Sequence, residues 1–237
     1  MKSIYITTSW DDGHQLDITL ASLLKKYGIT GTFYLAPFDQ ESAASERLTD
    51  TQIKELSESF EIGAHTMTHR FLPTLSLREA ETEIVESKRY LENLLAKPVT
   101  SFCYPAGQYT KAHVALVQKA GFWYARTVKR FCFANEDSPF ETATSVHTYD
   151  HWLDIWPLLR FVRYNPITFF RLYRKWDKQA MAMFDYVLAH GGIFHLWGHS
   201  WEVDGHGDWE RLEAVLAYMS GHTTAHYVTN SELIYAK

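Results

Sequence analysis

Short apolar stretches alternate with amphipathic ones along most of the chain. Residues 3–9 alternate apolar and polar positions as a strand does, and residues 16–27 follow with helical spacing. The same reasoning predicts a short helix after Thr49 and a helix at 77–95 opened by a Ser76/Glu79 capping box. Further strands are predicted at 32–36, 60–64, 100–104, 124–128, 193–197 and 225–228, and further helices at 111–120, 165–190 and 208–220.

This alternation predicts the fold class. Strands that alternate with helices form right-handed βαβ units around a parallel sheet, and six to eight such strands favour a barrel-like α/β domain. We expect residues 1–237 to form one domain. In such barrels the working residues lie at the carboxyl ends of strands, so the polar clusters that follow the predicted strands are candidate site residues.

Composition narrows the class of protein. The chain has 237 residues, 46% of them hydrophobic and 22% charged, with a net charge of −5, which is typical of a globular protein and not of a nucleic-acid binder. No apolar run is long enough for a transmembrane segment, and the first residues lack a signal-peptide core, so we expect a cytoplasmic protein. Two cysteines exclude a disulfide framework, and twelve histidines make a metal site worth seeking.

Two acidic residues follow the first predicted strand. Asp11 and Asp12 precede Gly13, so two carboxylates lie close together at the mouth of the sheet. A divalent cation bound by one of them would relieve their repulsion and leave the other as a base, although Asp-Asp-Gly is also common turn chemistry.

Two histidines follow the third predicted strand. His65 and His69 are four residues apart, which allows both imidazoles to reach one ion, and Thr66 excludes the zincin pattern. With Asp12 they form a set of one carboxylate and two imidazoles, which leaves coordination positions for water and a substrate oxygen. A solvated or capping role for the pair is the alternative.

These motifs resemble those of a known family. Residues 9–13 (SWDDG), 65–69 (HTMTH) and 102–107 (FCYPAG), followed by a late histidine segment, occur in the order of the polysaccharide deacetylases, which are carbohydrate esterase family four, the NodB homology domain. The resemblance implies an irregular, TIM-like (β/α) barrel of about seven strands and metal-dependent hydrolysis of an N-acyl group. It implies Asp11 as the catalytic base and Asp12, His65 and His69 as ligands of one divalent ion, Zn²⁺ with Co²⁺ or Ni²⁺ as alternatives.

The third motif departs from the family pattern. Cys103 stands where the family has an arginine that orients the base, and we predict that Arg126, at the next strand end, replaces it. Tyr104 and the backbone N–H of Ala106 in the same motif are the expected substrate-binding and oxyanion groups.

The late segment offers two candidate acids. His195 and His199 have the same strand parity, and we favour His199 because it follows Gly198 at the mouth, whereas His195 lies inside the strand. We expect His195 to contribute to substrate binding or to the core, and Glu202 to orient either histidine.

The resulting hypothesis is an N-deacetylase acting on a small or lipid-linked intracellular amino sugar. A hydrolase of a linear amide or cyclic imide, an Fe(II) oxygenase and a non-catalytic sugar-binding barrel are the alternatives. Residues 152–186 interleave aromatic and basic side chains. We expect the aromatic residues to pack this stretch onto the barrel, with peripheral membrane contact as the alternative.

Overall fold

The chain folds around one parallel sheet. The computed structural model describes residues 3–134 and 138–236. Its strands are β1 (Ile4–Asp12), β2 (Thr32–Leu35), β3 (Glu61–Ala64), β4 (Ser101–Cys103), β5 (Tyr124–Arg126), β6 (Val146–His147), β7 (Gly192–Gly198) and β8 (Ala225–Tyr227). They pair in the order β5-β4-β3-β2-β1-β7-β6, and β8 pairs with the first residues of β1. Every named strand pair is parallel, which confirms the predicted α/β barrel class.

Helices connect these strands and cover the outside of the sheet. They are α1 (Asp17–Lys26), α2 (Asp50–Ser57), α3 (Leu77–Leu95), α4 (Lys111–Lys119), α5 (Ile155–Phe161), α6 (Pro166–Leu172), α7 (Trp176–His190), α8 (Ser200–Gly205) and α9 (Trp209–Met219). The predicted capping box opens α3: Ser76 and Glu79 exchange side-chain and backbone hydrogen bonds. Within the described ranges no helix is both long and apolar enough to cross a membrane.

An irregular segment curls the sheet toward closure. Residues 139–145 run beside β5, where the Ala125 N–H donates to the Pro139 carbonyl and the Thr127 N–H to the Thr142 carbonyl. The Ser145 N–H then donates to the His195 carbonyl of β7. The gap between the two ends of the sheet is therefore bridged by backbone without regular strand pairing, which makes the barrel irregular.

The two faces of β1 have different surroundings. Ile4, Ile6 and Trp10 belong to the main apolar core. The alternate residues Ser9 and Asp11 are polar: Ser9 bonds to His195, and Asp11 bonds to Arg126 of β5, which three intervening strands separate from β1 in the sheet order. Because β1 and β5 are not neighbours in the sheet, the second contact is made across the barrel interior. That interior is lined by polar groups, and the candidate site lies at its end formed by the carboxyl ends of the strands.

Several predicted boundaries were wrong. Asp11 and Asp12 are the last residues of β1, not a loop after it. The helix predicted at 165–190 is broken into α6 and α7 because Arg174 adopts a left-handed backbone conformation (φ 54°). Strand β6 and helices α5 and α8 were not predicted.

The aromatic stretch packs only in part as expected. Phe169 and Trp176 are buried, whereas Trp152, Trp156 and Phe170 are 64–72% exposed. The expectation that aromatic residues pack this stretch onto the barrel is therefore wrong for the exposed ones.

Candidate active site

The predicted metal ligands meet at the carboxyl ends of β1 and β3. Asp12 Oδ1 lies 3.6 Å from His65 Nε2 and 3.4 Å from His69 Nε2. One donor atom from each of the three residues can be chosen so that all lie within 4.8 Å of one another. Such a cluster of one carboxylate and two imidazoles is of the size and chemistry that a divalent transition metal takes.

Strained backbone brings these side chains together. Asp12, Thr66 and His69 all have positive φ, between 62° and 80°, although none is glycine. Conformations of this kind cluster at functional sites, where the surrounding structure must hold them. Here Glu83 of α3 holds the loop, because its carboxylate accepts hydrogen bonds from the backbone N–H groups of Met67 and Thr68.

The histidine orientations fit a metal ion. His65 Nδ1 donates to the Cys103 carbonyl at 2.8 Å and His69 Nδ1 donates to Glu41 at 3.0 Å, so both Nε2 atoms are left as acceptors toward Asp12. Burial lowers the pKa of His65 to about 4, which keeps its imidazole neutral. Asp12 Oδ1 is buried without a hydrogen-bond donor among the described residues. A cation is the missing partner that this oxygen needs.

Asp11 is held by an arginine, as expected for a base that needs orientation. Both of its carboxylate oxygens accept hydrogen bonds from Arg126 Nη2, and Cys103 Sγ lies 3.7 Å from Asp11 Oδ2. Burial alone would raise the pKa of Asp11, but the charge of Arg126, aided by His65 and His199, lowers it to about 2. The guanidinium thus reaches Asp11 from β5, while Cys103 supplies the carbonyl that orients His65.

A third group of polar side chains comes from β6, β7 and α8. His199 Nε2 lies 3.9 Å from Asp12 Oδ2, and His199 Nδ1 donates to Glu202. Burial lowers the pKa of His199, but the hydrogen bond to Glu202 and the charge of Asp12 outweigh it and raise the pKa to about 9. His147 Nε2 donates to the same Glu202 carboxylate at 3.1 Å. At neutral pH His199 is therefore protonated beside the Asp12 carboxylate.

His195 and Tyr104 lie below the surface of the site. His195 is fully buried in the barrel interior, where its Nε2 is 2.8 Å from Ser9 Oγ. Tyr104 is also fully buried, and its hydroxyl donates to the Phe140 carbonyl at 3.0 Å. Ala106 is exposed in a 3-10 turn, with φ 51°. Of these three residues only Ala106 has surface from which to contact a substrate in this conformation.

Two neighbours of the site were not anticipated. Trp201 Nε1 donates to Asp12 Oδ2 at 2.9 Å, which is not the carboxylate oxygen that faces His65 and His69. His147 stacks on Trp197 with ring centroids 3.8 Å apart and bonds to His151 at 2.8 Å. The spacing of His147 and His151 matches that of His65 and His69, and this was the available sequence signal.

A cleft of 310 Å³ opens beside Asp12. Four carboxylates contribute to its walls, and the lining residues are Asp12, His14, Asp39, Glu41, Ser42, Glu46 and Trp201. The cleft therefore favours neutral or cationic groups over anionic ones next to the ligand set.

Fold and site together define a (β/α) barrel with a cluster of one carboxylate and two imidazoles beside a second, buried carboxylate that pairs with an arginine. Residues 1–125 match the family model described as polysaccharide deacetylase. The chain belongs to this family of hydrolases, as the motif resemblance indicated.

Individual relatives agree with this assignment. The chain is 28% identical over 119 residues to the peptidoglycan-N-acetylglucosamine deacetylase of Bacillus cereus, which is 49% of this chain and 53% of that protein. It spans about half the length of the curated relatives it matches. The family 4 carbohydrate esterase of Streptomyces lividans, solved with acetate, shares the fold: TM-score 0.56, 15% identity, 92% of this chain and 90% of that chain. A Mycobacterium smegmatis structure gives a TM-score of 0.72 at 13% identity, over 99% of this chain and 90% of that chain.

Proposed function

We propose that this chain is a metal-dependent hydrolase that removes an N-acyl group, acetyl in the first instance, from an amino sugar or glycan precursor. The observation that carries the proposal is the juxtaposition of two kinds of carboxylate at one strand end. Asp12 faces His65 and His69, whereas both carboxylate oxygens of Asp11 are held by Arg126. One carboxylate is thus available to a cation and the other to a proton.

The ligand set proposed for the ion is Asp12, His65 and His69. A bound divalent ion, Zn²⁺ with Co²⁺ or Ni²⁺ as alternatives, would polarise the amide carbonyl and lower the pKa of a bound water. The protein's contribution is to present two Nε2 atoms and one unpaired carboxylate oxygen, each fixed by a hydrogen bond on its far side.

Asp11 is the proposed general base. Arg126 keeps its carboxylate ionised and fixes both oxygens, so Asp11 can accept the proton of the attacking water. Positioned bases of this kind contribute about 10²–10⁴-fold to the rate. The exposed turn at Ala106 is the proposed oxyanion donor, through its backbone N–H.

His199 is the proposed general acid. Glu202 and Asp12 keep it protonated at neutral pH, so it can give a proton to the amide nitrogen as the C–N bond breaks. The reaction forms a C–O bond from water to the acyl carbon and releases a carboxylic acid and an amine. Without that proton the nitrogen is a poor leaving group.

The cleft supports an amino sugar as the substrate. Its carboxylates, among them Asp39 and Glu46, suit a neutral N-acyl sugar and the cationic amine that hydrolysis produces. A phosphate of a lipid-linked or nucleotide-linked sugar is repelled there and has to lie on another side of the site. The substrate is proposed to be a small or lipid-linked amino sugar, and the cytoplasmic location stays a prediction.

The test is a substrate screen with the metal-reconstituted protein. We would load the chain with Zn²⁺, Co²⁺ or Ni²⁺ and measure acid release and free amine from N-acetylated glucosamine oligomers, N-formyl sugars, linear amides and cyclic imides. The proposal predicts turnover of an acylated amino sugar by the wild type and by the control Glu210→Gln, an exposed carboxylate on α9. Turnover of only the imide, or oxygen consumption with Fe²⁺, would contradict it.

A further inference from the structure

The stretch from Trp152 to Lys175 has an unusual surface. Trp152, Leu153, Trp156, Tyr164, Ile167 and Phe170 are 62–81% exposed. These side chains and the exposed cations between them, Arg160, Arg163, Arg171, Arg174 and Lys175, are called the α5–α6 surface below. Clusters of exposed aromatic and aliphatic side chains on this scale mark interaction sites.

Each of the two helices buries one stripe and exposes the other. Leu158 and Val162 of the α5 region pack with Phe169 and Leu172 of α6 in a small separate core. Trp156 and Arg160 of α5 and Ile167, Phe170 and Arg171 of α6 are exposed. Trp152 lies before α5, Arg163 follows α5, and Arg174 follows α6. The exposed apolar side chains are therefore not needed to pack α5 and α6, because the two helices already share a core of their own.

The charge of this segment is opposite to that of the chain. Residues 152–175 contain five basic residues and one acidic residue, whereas the other 213 residues contain 18 basic and 27 acidic ones. The one acid, Asp154, is buried and paired with Arg130. None of the five cations has a carboxylate within 4.0 Å in the part of the chain that the structure describes. Their charge is therefore free for an external anion.

A cavity beside α5 combines the same two properties. It has a volume of 470 Å³ and is lined by Arg130, Phe131, Phe133, Pro157, Arg160, Phe161, Arg163 and Tyr186. Arg160 and Arg163 are unpaired among the described residues, and aromatic rings form much of the remaining wall. A phosphate with an attached apolar chain matches this combination of groups.

We propose that the α5–α6 surface docks on a membrane rich in anionic lipids. Tryptophan and tyrosine favour the interface between lipid and water, and arginine beside them pairs with lipid phosphates while its stem stays in the apolar layer. A second copy of this chain is a poorer occupant, because two identical surfaces of five unpaired cations repel each other.

The surface begins at the mouth of the active site. Trp152 directly follows His151, whose Nε2 bonds to His147, and His147 in turn bonds to the Glu202 that holds His199. Docking through this surface therefore brings the catalytic end of the barrel near the lipid headgroups. A lipid-linked acylated amino sugar is the substrate class that this placement favours, an extension that rests on the proposed function.

The experiment is vesicle flotation with the full chain. Vesicles of phosphatidylcholine are compared with vesicles of an equal mixture of phosphatidylcholine and phosphatidylglycerol, at low and physiological salt. We expect binding to the anionic vesicles at least about 10-fold stronger than to the neutral ones, because each basic residue at the surface adds to the attraction. Vesicle binding needs no catalytic turnover, so its outcome is independent of the proposed function.

Variants distinguish binding through the α5–α6 surface from nonspecific membrane binding. Arg160→Gln/Arg163→Gln should lose about 10–30-fold of the anionic preference, and Trp152→Ala/Trp156→Ala should lose about 10-fold or more of the binding to both vesicle types. The controls Lys54→Gln/Arg78→Gln, which removes the same charge from α2 and α3, and Trp123→Ala, a 53% exposed tryptophan before β5, should bind as the wild type does.

Three results would overturn the proposal. They are no binding of the wild type to anionic vesicles at low salt, equal losses in the controls and the surface variants, or a wild-type dimer that Trp152→Ala/Trp156→Ala converts to a monomer without any vesicle binding. Light scattering on the same samples measures the last of these. The variants replace exposed side chains, and their thermal unfolding should match that of the wild type.

Discussion

The two halves of the barrel contribute different parts of the site and are built differently. Residues 1–125 hold the regular units from β1 to α4, match the family model, and supply Asp11, Asp12, His65 and His69. Residues 126–236 contain the irregular closure and the short helices α5 and α6, and supply Arg126, His199 and Glu202. The half that would bind the metal is regular, whereas the half that supplies the arginine beside the proposed base and the proposed acid departs from a repeated pattern.

This difference has a physical basis. The two histidines of the proposed ligand set share one loop: His65, His69 and the Glu83 that fixes this loop lie within 19 residues of one another. The acid and the arginine are held by long-range contacts, since Arg126 meets Asp11 across the barrel and His199 depends on residues of β6 and α8. Variation in the second half can therefore alter the groups around the proposed base and acid while the loop of His65 and His69 stays intact.

The largest expected effect is on the proposed base. Asp11→Asn removes the proton acceptor and should lower kcat by about 10²–10⁴-fold, while the ligand set, which it does not include, still binds metal. Single-turnover acid release and metal content of the same sample measure both. Because Arg126 then lacks its partner, a thermal melt must accompany the assay. Wild-type turnover in the variant would contradict the assignment.

The next effect is on the contact that joins the two halves. Arg126→Met leaves Asp11 buried without its counter-charge, and breaking such a pair costs about 3–5 kcal/mol of unfolding free energy. Urea unfolding of Arg126→Met, Asp11→Asn and the double variant forms a mutant cycle. Additive losses would show that the ion pair does not couple β1 to β5.

A smaller effect is expected from the partner of the acid. In the wild type the Glu202 charge orients His199 and raises the pKa of this histidine. Glu202→Gln removes that charge and should lower kcat by about 10–100-fold, as the loss of a charged hydrogen bond does. Glu210→Gln is the matched control on α9. An unchanged kcat in both would mean that His199 does not depend on Glu202.

The smallest effect concerns the regular half. Ser76→Ala removes the cap of α3 and should cost about 1 kcal/mol of stability without changing kcat, because the residue of α3 that holds the loop of His65 and His69 is Glu83, two turns further along the helix. Chemical denaturation and the deacetylation assay test the two statements. A large fall in kcat would show that the loop of His65 and His69 depends on the start of this helix.

The same division limits what the sequence could predict. The strands and helices of the first half have a clear period, and the Ser76/Glu79 capping box marks a helix start that the structure has. Strand β6 has two residues and therefore no period to detect, so His147 escaped notice. The break between α6 and α7 occurs at Arg174, which adopts a left-handed backbone conformation. The sequence has no Gly or Pro at this position to indicate that the helix ends there.

Candidate site residues show the same limit. The order of the motifs placed Asp12, His65 and His69 together, and the structure brings them within contact distance. Arg126 was chosen because a cation was missing at Cys103, and the structure brings it against Asp11. Strand parity did not separate His195 from His199, since burial in the barrel depends on Ser9 and Asn230, which lie far away in the sequence.

The most direct test of the central claim is metal content by elemental analysis. Wild type, Asp11→Asn and His65→Ala/His69→Ala would be purified and reconstituted in parallel. If Asp12, His65 and His69 hold the ion and Asp11 does not, the wild type and Asp11→Asn contain about one equivalent of zinc, cobalt or nickel, and His65→Ala/His69→Ala contains none. No metal in the wild type after reconstitution would contradict the account, and iron accompanied by oxygen consumption would favour an oxygenase instead.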